Sequence, residues 1–272
     1  MTFKAFVLFL VVVSSHGAWA QDVELDGNRV QGGLVLGRTT PGSNVTIDGR
    51  AVRVSANGMF LLGFGRDAPR KAVLKITAPG GKTETSVLKI AQRRYKTQRI
   101  DGLPHKQVTP DEKALKRIRA DNALIAAVRA TDTDTTGFES GFSWPAIGPL
   151  SGVFGSRRIL NGKPRRPHNG VDIAAPRGSP VTATAEGIVA LAEPDMYYTG
   201  KSVMIDHGHG LASVYVHMSE ILVKKGQRVA KGDVIGRIGS SGRVTGPHLH
   251  WGVSLFSTLL DPALLTGPMP AR

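Results

Sequence analysis

The chain has 272 residues and no cysteine, which excludes disulfide staples, thiolate metal sites and a lipid-modified N-terminal cysteine. Its length accommodates about two domains of ordinary size. A formal charge of +14, or +13 without Lys4, suits an anionic partner such as envelope headgroups or a cell wall. In chain order, residues 1–20 read as an export signal: Lys4, an apolar run from Ala5 to Val13, and the small-x-small site Ala18-Trp19-Ala20 before Gln21. That run is far short of the ~20 residues that span a bilayer, so cleavage and a periplasmic or secreted location are expected, with no transmembrane segment in the mature chain. Export argues against nucleic acid as the partner.

Residues 21–100 alternate short β-rich runs with turn signals. Strands are predicted near Val30–Leu36, Asn44–Ile47, Ala51–Val54, Met59–Phe64, Ala72–Thr77 and Glu84–Ile90. Asp48-Gly49 and Asn57-Gly58 read as two-residue hairpin turns. The expected product is a small β-sandwich of six or seven strands, immunoglobulin-like in its turn spacing and its Pro-Gly-Ser-x-Val-Thr phrase. It contains no titratable cluster, so a binding, spacing or regulatory role is expected of it.

Residues 101–141 are expected to form a helix and a flexible linker. Thr109 is the predicted N-cap and Pro110 lies in the first turn; Leu115, Ile118, Leu124, Ile125 and Val128 make an apolar face ending near Ala130. The Thr-, Asp- and Gly-rich stretch 131–143 reads as the flexible part. Residues 142–265 return to Gly-rich strands, with runs at Gly187–Leu191, Ser202–Asp206, Ala212–His217, Val234–Ile238 and His248–Phe256. With no amphipathic helix between them, a mainly antiparallel sheet domain is predicted, followed by a tail at 266–272. The fold class is thus mainly all-β with one linking helix.

Two features carry chemistry. In Gly246-Pro247-His248-Leu249-His250 the period of two puts both imidazoles on one strand face and Leu249 on the other. His168 and Asp172 lie upstream in a similar setting. On a straight strand they would stand about 13 Å apart, and Pro167, Gly170, Val171 and Ile173 oppose a helix. A bend at Asn169-Gly170 is therefore predicted, bringing carboxylate to imidazole. Adding one histidine of the 248/250 pair gives three ligands without thiolate, the pattern of hydrolytic zinc with a position left for water. His217 and the remaining histidine are candidates for proton transfer and charge stabilisation. His207 reads as structural, bonded to a neighbouring backbone, and His105 and His209 as exposed. Tyr215 reads as a core residue or a substrate-orienting one, sharing a strand face with His217.

Trp144-Pro145 to Phe154-Gly155, His168-x-x-x-Asp172-Ile173-Ala174, Pro180-Val181, His207-Gly208-x-Gly210, Tyr215-x-His217, Gly232-x-x-Ile235-Gly236 and Gly246-Pro247-His248-Leu249-His250 follow one another in order. Over about 142–265 the chain resembles the LytM/lysostaphin-type zinc metallopeptidases of family M23. The resemblance implies one Zn²⁺ per chain held by His168, Asp172 and His250, with His217 and His248 catalytic. It also implies hydrolysis of peptide cross-links in bacterial peptidoglycan, with the D,D-endopeptidase type favoured. Relatives that act only as activators of other wall hydrolases have lost ligands, whereas all five positions are filled here. A third reading, a biotin or lipoate carrier suggested by the Gly-x-Val and Pro-x-Val phrases, lacks a lysine at a hairpin tip between two halves. Stem peptides of the wall, an anionic envelope surface and a regulatory protein are the expected partners. The N-terminal domain or the 131–143 stretch is expected to cover the cleft.

Overall fold

The computed structural model describes residues 23–102 and 108–271. The expected export signal and His105 lie outside the described residues. The N-terminal part contains β1 (Glu24–Gly27), β2 (Leu34–Arg38), β3 (Asn44–Ile47), β4 (Arg50–Val52), β5 (Met59–Gly63), β6 (Lys71–Thr77) and β7 (Thr83–Lys89). They form two antiparallel sheets in the orders β1-β2-β5 and β4-β3-β6-β7. β6 shows why: Ala72, Leu74 and Ile76 are buried while Lys71, Val73 and Lys75 face solvent, a clean period of two. Val35, Phe60 and Leu62 from one sheet meet Val45, Leu74, Ile76 and Leu88 from the other in a shared core.

Asp48 and Gly49 both adopt positive φ (48° and 78°) in the two-residue turn joining β3 to β4, as expected. Asn57-Gly58 differs. Only Gly58 has positive φ, and the loop closes through Gly58 N–H to Ser55 O (2.9 Å) and Ser55 N–H to Met59 O (2.8 Å), the three-residue bulged form. A Cβ on Gly58 would stand 1.9 Å from the Thr39 carbonyl oxygen, so tertiary contact adds to the demand for glycine.

Within the first sheet, β2 and β5 are buried on both faces. Leu34, Met59 and Leu61 point away from the sandwich into a second, larger core with Ile173, Tyr215, Leu249, Trp251 and Leu260. Beyond the sandwich, β8 (Thr97–Ile100) precedes helix α1 (Glu112–Arg129). Asp111, not Thr109, caps the helix, accepting from Ala114 N–H at 2.8 Å. Val128 is buried and Ile125 packs beside it, but Leu124 is exposed and falls off the expected apolar face.

The stretch expected to be a flexible linker is docked. Thr133 Oγ1 donates to Asp206 Oδ2 (2.8 Å), a single 3₁₀ turn spans Gly137–Ser140, and Phe138 is completely buried against His209. Composition misled here because one aromatic residue anchors an otherwise polar segment.

The remaining strands are β9 (Leu150–Gly152), β10 (Arg157–Leu160), β11 (Lys163–Arg165), β12 (Val171–Ala174), β13 (Pro180–Thr182), β14 (Gly187–Met196), β15 (Gly200–Gly208), β16 (Leu211–Ile221), β17 (Arg228–Val229), β18 (Val234–Ile238), β19 (His248–Leu255) and β20 (Thr258–Leu260). Ten of them form one antiparallel assembly with the path β17-β14-β15-β16-β19-β12-β9. α1 packs over this sheet, placing Val128 among Leu191, Met204, Val214 and Val216. β8 joins β10 in parallel, and β11 completes that small sheet. The described chain is mainly β with one α-helix, as the sequence predicts, and no described helix is long and apolar enough to cross a membrane.

Candidate metal centre

β12 and β19 pair antiparallel with Asp172 opposite His250 and Ala174 opposite His248. Residues facing each other across a ladder share a side, so Asp172, His248 and His250 lie on one face. Ile173, Leu249 and Trp251 go to the other, each fully buried. His168 precedes β12, fixed by its N–H to Ser156 O and by Gly155 N–H to His168 O, both 2.9 Å. The chain bends at Gly170, where a Cβ would stand 2.2 Å from the Trp251 carbonyl oxygen. Close approach of two backbones, rather than a special dihedral, demands glycine there.

The bend brings His168 Nε2 to 3.0 Å from Asp172 Oδ1 and 2.9 Å from His250 Nδ1, which is 2.8 Å from the same carboxylate oxygen. His168 Nδ1–H donates to the Val153 carbonyl (3.2 Å), leaving a bare Nε2 in the group. Three acceptor-type atoms in a triangle of about 3 Å cannot all be satisfied by their own protons, whereas one cation with ~2 Å bonds spans them. The donor set therefore fits a metal ion, and the nitrogen and oxygen ligands suit zinc.

Burial pushes the His168 imidazole down to about 4 despite its Asp172 partner, so it is neutral and able to ligate at pH 7. Burial alone would raise the Asp172 carboxyl, but the close approach of the His168 and His250 rings outweighs it and holds the group well below the usual carboxylate range. Two residues absent from the sequence-based candidates shape this carboxylate. Arg158 places a guanidinium nitrogen 3.2 Å from Asp172 Oδ2. Gly152, opposite Asp172 on β9, leaves room for it: a Cβ would lie 2.2 Å from Oδ2. Nothing in the sequence singles Gly152 out among 33 glycines or Arg158 among 35 basic residues.

His217 and His248 stand beside this triangle, their ring centroids 5.0 Å apart, and His248 Nε2 is 3.9 Å from Asp172 Oδ1. Each Nδ1–H is tied to a carbonyl, His217 to Ser241 and His248 to Gly246, both at 2.9 Å, which leaves each Nε2 as an acceptor. Burial, with help from His250, pushes His217 down to about 3.

His217 reaches the cleft by an irregularity. Val216 pairs with His250 on the cleft face, so strict alternation would send His217 into the core with Tyr215. The β15–β16 register shifts there and His217 takes φ 66°, turning its ring back. Tyr215 consequently does not share a face with His217. Its hydroxyl accepts from Thr184 N–H (2.8 Å) and from Ser213 Oγ (2.9 Å) in the core. His207 is structural as read, joining Glu186 O and Ser213 Oγ at 2.7 Å each. His209, expected to be exposed, is buried at the β15–β16 turn with φ 52°, edge-on to Phe138.

Three convergent nitrogen and oxygen donors with two imidazoles beside them are the equipment of a metal-dependent hydrolase. Residues 166–262 match the model of peptidase family M23, so this part of the chain is an M23 peptidase domain. It is 46% identical over 103 residues to the peptidoglycan DD-endopeptidase ShyA of Vibrio cholerae, a match covering 38% of this chain and 24% of ShyA. It is 40% identical over 105 residues to the DD-carboxypeptidase/endopeptidase Mpg of Neisseria meningitidis, covering 39% and 24%. The matched region thus spans about a quarter of these curated relatives. A solved M23 peptidase structure from Pseudomonas aeruginosa superposes with a TM-score of 0.68 at 29% identity, over 88% of this chain and 96% of that one.

Proposed function

We propose that the chain is an exported zinc endopeptidase that hydrolyses peptide cross-links of bacterial peptidoglycan, at bonds of the D,D type. The convergence of His168, Asp172 and His250 on one point, with His217 and His248 beside it, carries this reading. The names of ShyA and Mpg support the substrate, and the apolar run at 5–13 supports export to the periplasm or beyond.

His168, Asp172 and His250 are the residues that would hold the ion. When bound, zinc supplies a Lewis acid for the scissile carbonyl and lowers the pKa of water toward neutrality. His217 and His248 handle protons and charge: a bare Nε2 accepts a proton from the attacking water, and the ring so protonated donates to the oxygen on which negative charge builds or delivers the proton to the leaving amine. Their bare Nε2 atoms and the neutrality of His217 suit the acceptor part. The cleft around them has a volume of about 1410 Å³ and is walled by α1 and the sandwich as well as by the sheet. Room for a branched peptide is therefore available. Defined cross-linked muropeptides incubated with the chain, with zinc and with a chelator, test the reading by mass analysis. Zinc-dependent release of single stems is expected; no cleavage in the presence of zinc overturns it.

A further inference from the structure

Among the described residues, eight arginine or lysine side chains line the cleft against three aspartates. Two of those aspartates have local work: Asp67 pairs with Arg66 (2.6 Å) and Asp48 accepts Val73 N–H (2.7 Å). The third is Asp172. Three of the eight, Arg158, Arg165 and Arg243, are linked to one another and, through Arg158, to the metal centre. Arg158 and Arg165 are directly opposed on β10 and β11, so two like charges share one face, an arrangement that destabilises a strand pair when nothing offsets it. Arg158 spans to Asp172, whereas the Arg165 guanidinium is held by two neutral acceptors, Pro164 O (3.1 Å) and Val108 O (2.6 Å). The Arg243 guanidinium carbon sits over the Tyr198 ring, 4.0 Å from its centroid. Burial first, and then the positive charges of Arg158 and Arg165, weaken its basicity, so the three guanidiniums act on one another. Further along the same cleft, the Arg129 Nε–H is buried with no hydrogen-bond partner among the described residues.

Guanidinium forks match carboxylates, and a low-dielectric cleft of one sign concentrates anions. We propose that Arg158, Arg165 and Arg243 form a carboxylate-binding subsite beside the His168/Asp172/His250 group, selecting peptides with a free carboxylate near the scissile amide over neutral bridges. The proposal rests on the endopeptidase reading only for where the scissile bond lies. It names the substrate's charge, which that reading leaves open.

Two cross-linked stem peptides that differ only by amidation of the carboxylate next to the cross-linking amide supply the test. Binding to the full chain is measured by calorimetry in chelator, and turnover is measured with zinc. Amidation is expected to weaken binding about tenfold or more. Arg243→Gln should weaken binding of the free acid toward that of the amide and leave the amide unchanged. Equal affinities of the unsubstituted chain for both peptides, binding of neither, or equal losses on both in Arg243→Gln overturn the subsite. The amidation comparison decides the matter even if Arg243→Gln does not fold. Preferential binding of the acid without zinc-dependent cleavage leaves the subsite standing and removes the hydrolase reading. Equal binding with cleavage of both does the reverse.

Discussion

The Asp172 carboxylate occupies space that a methyl group at position 152 would need, since a Cβ there would sit 2.2 Å from Oδ2. Gly152→Ala is therefore expected to keep the fold while displacing the carboxylate. Zinc affinity should fall about 10–100-fold, the usual scale for disturbing a ligand's support, as read by competition with a chromogenic chelator. Unchanged affinity would show that Asp172 shifts freely. The proposed mechanism divides the five polar site residues by role. His168→Ala and Asp172→Ala should lose the metal, whereas His248→Ala should bind zinc with near-native affinity and lose turnover by at least about 100-fold. Metal content measured beside muropeptide cleavage separates the two cases, and an active His248→Ala enzyme contradicts the assignment. The four site histidines and Asp172 were visible as a motif. Gly152 and Arg158 were not, because their importance lies in what stands opposite them across a ladder.

Elements place these residues. Alternation along β19 was legible in His248-Leu249-His250, and it holds because Leu249 has a core to enter. His217 breaks the alternation on β16 through a register shift that no local sequence pattern announces. The 131–143 stretch gives the clearest difference between composition and structure. Its Thr, Asp and Gly residues match a flexible linker, yet Phe138 inserts fully into the core. Phe138→Ala should cost about 3–5 kcal/mol by urea unfolding, the range for emptying a large aromatic site, with zinc affinity retained. A cost near zero would restore the linker reading. The stretch also lies apart from the cleft lining, which is supplied by α1 and the sandwich. Any covering of the site therefore falls to those elements.

At the scale of the molecule, the sandwich is fastened to the larger sheet. Arg93 pairs with buried Asp261 (2.7 Å), Arg66 Nε–H donates to Gly155 O (2.8 Å), and Leu34, Met59 and Leu61 enter the larger core. A fragment beginning at residue 137 should accordingly melt well below the full chain, by calorimetry with both zinc-loaded. An equal melting temperature would make the sandwich an independent module. Stability should also depend on pH through His207, which is completely buried and pushed by burial from 6.5 down to about 4. Between those values the unfolded chain binds the proton and the folded chain does not. The contribution, about 3 kcal/mol, is thus present above pH ~6.5 and lost as pH falls through 4. Urea midpoints from pH 7 to pH 4.5 should decline, and less steeply in His207→Gln; parallel slopes would assign the decline to other groups. Residue type and spacing by themselves determined the β class, the helix, the two-faced histidine strand and the identity of the donors, because these follow from periodicity and ligand chemistry within a few residues. Tertiary structure alone decided that His217 faces the cleft, that Tyr215 does not, that 131–143 is docked, and that Arg158, Arg165 and Arg243 converge. Each of those depends on register or packing between segments distant in the chain, which no local pattern encodes.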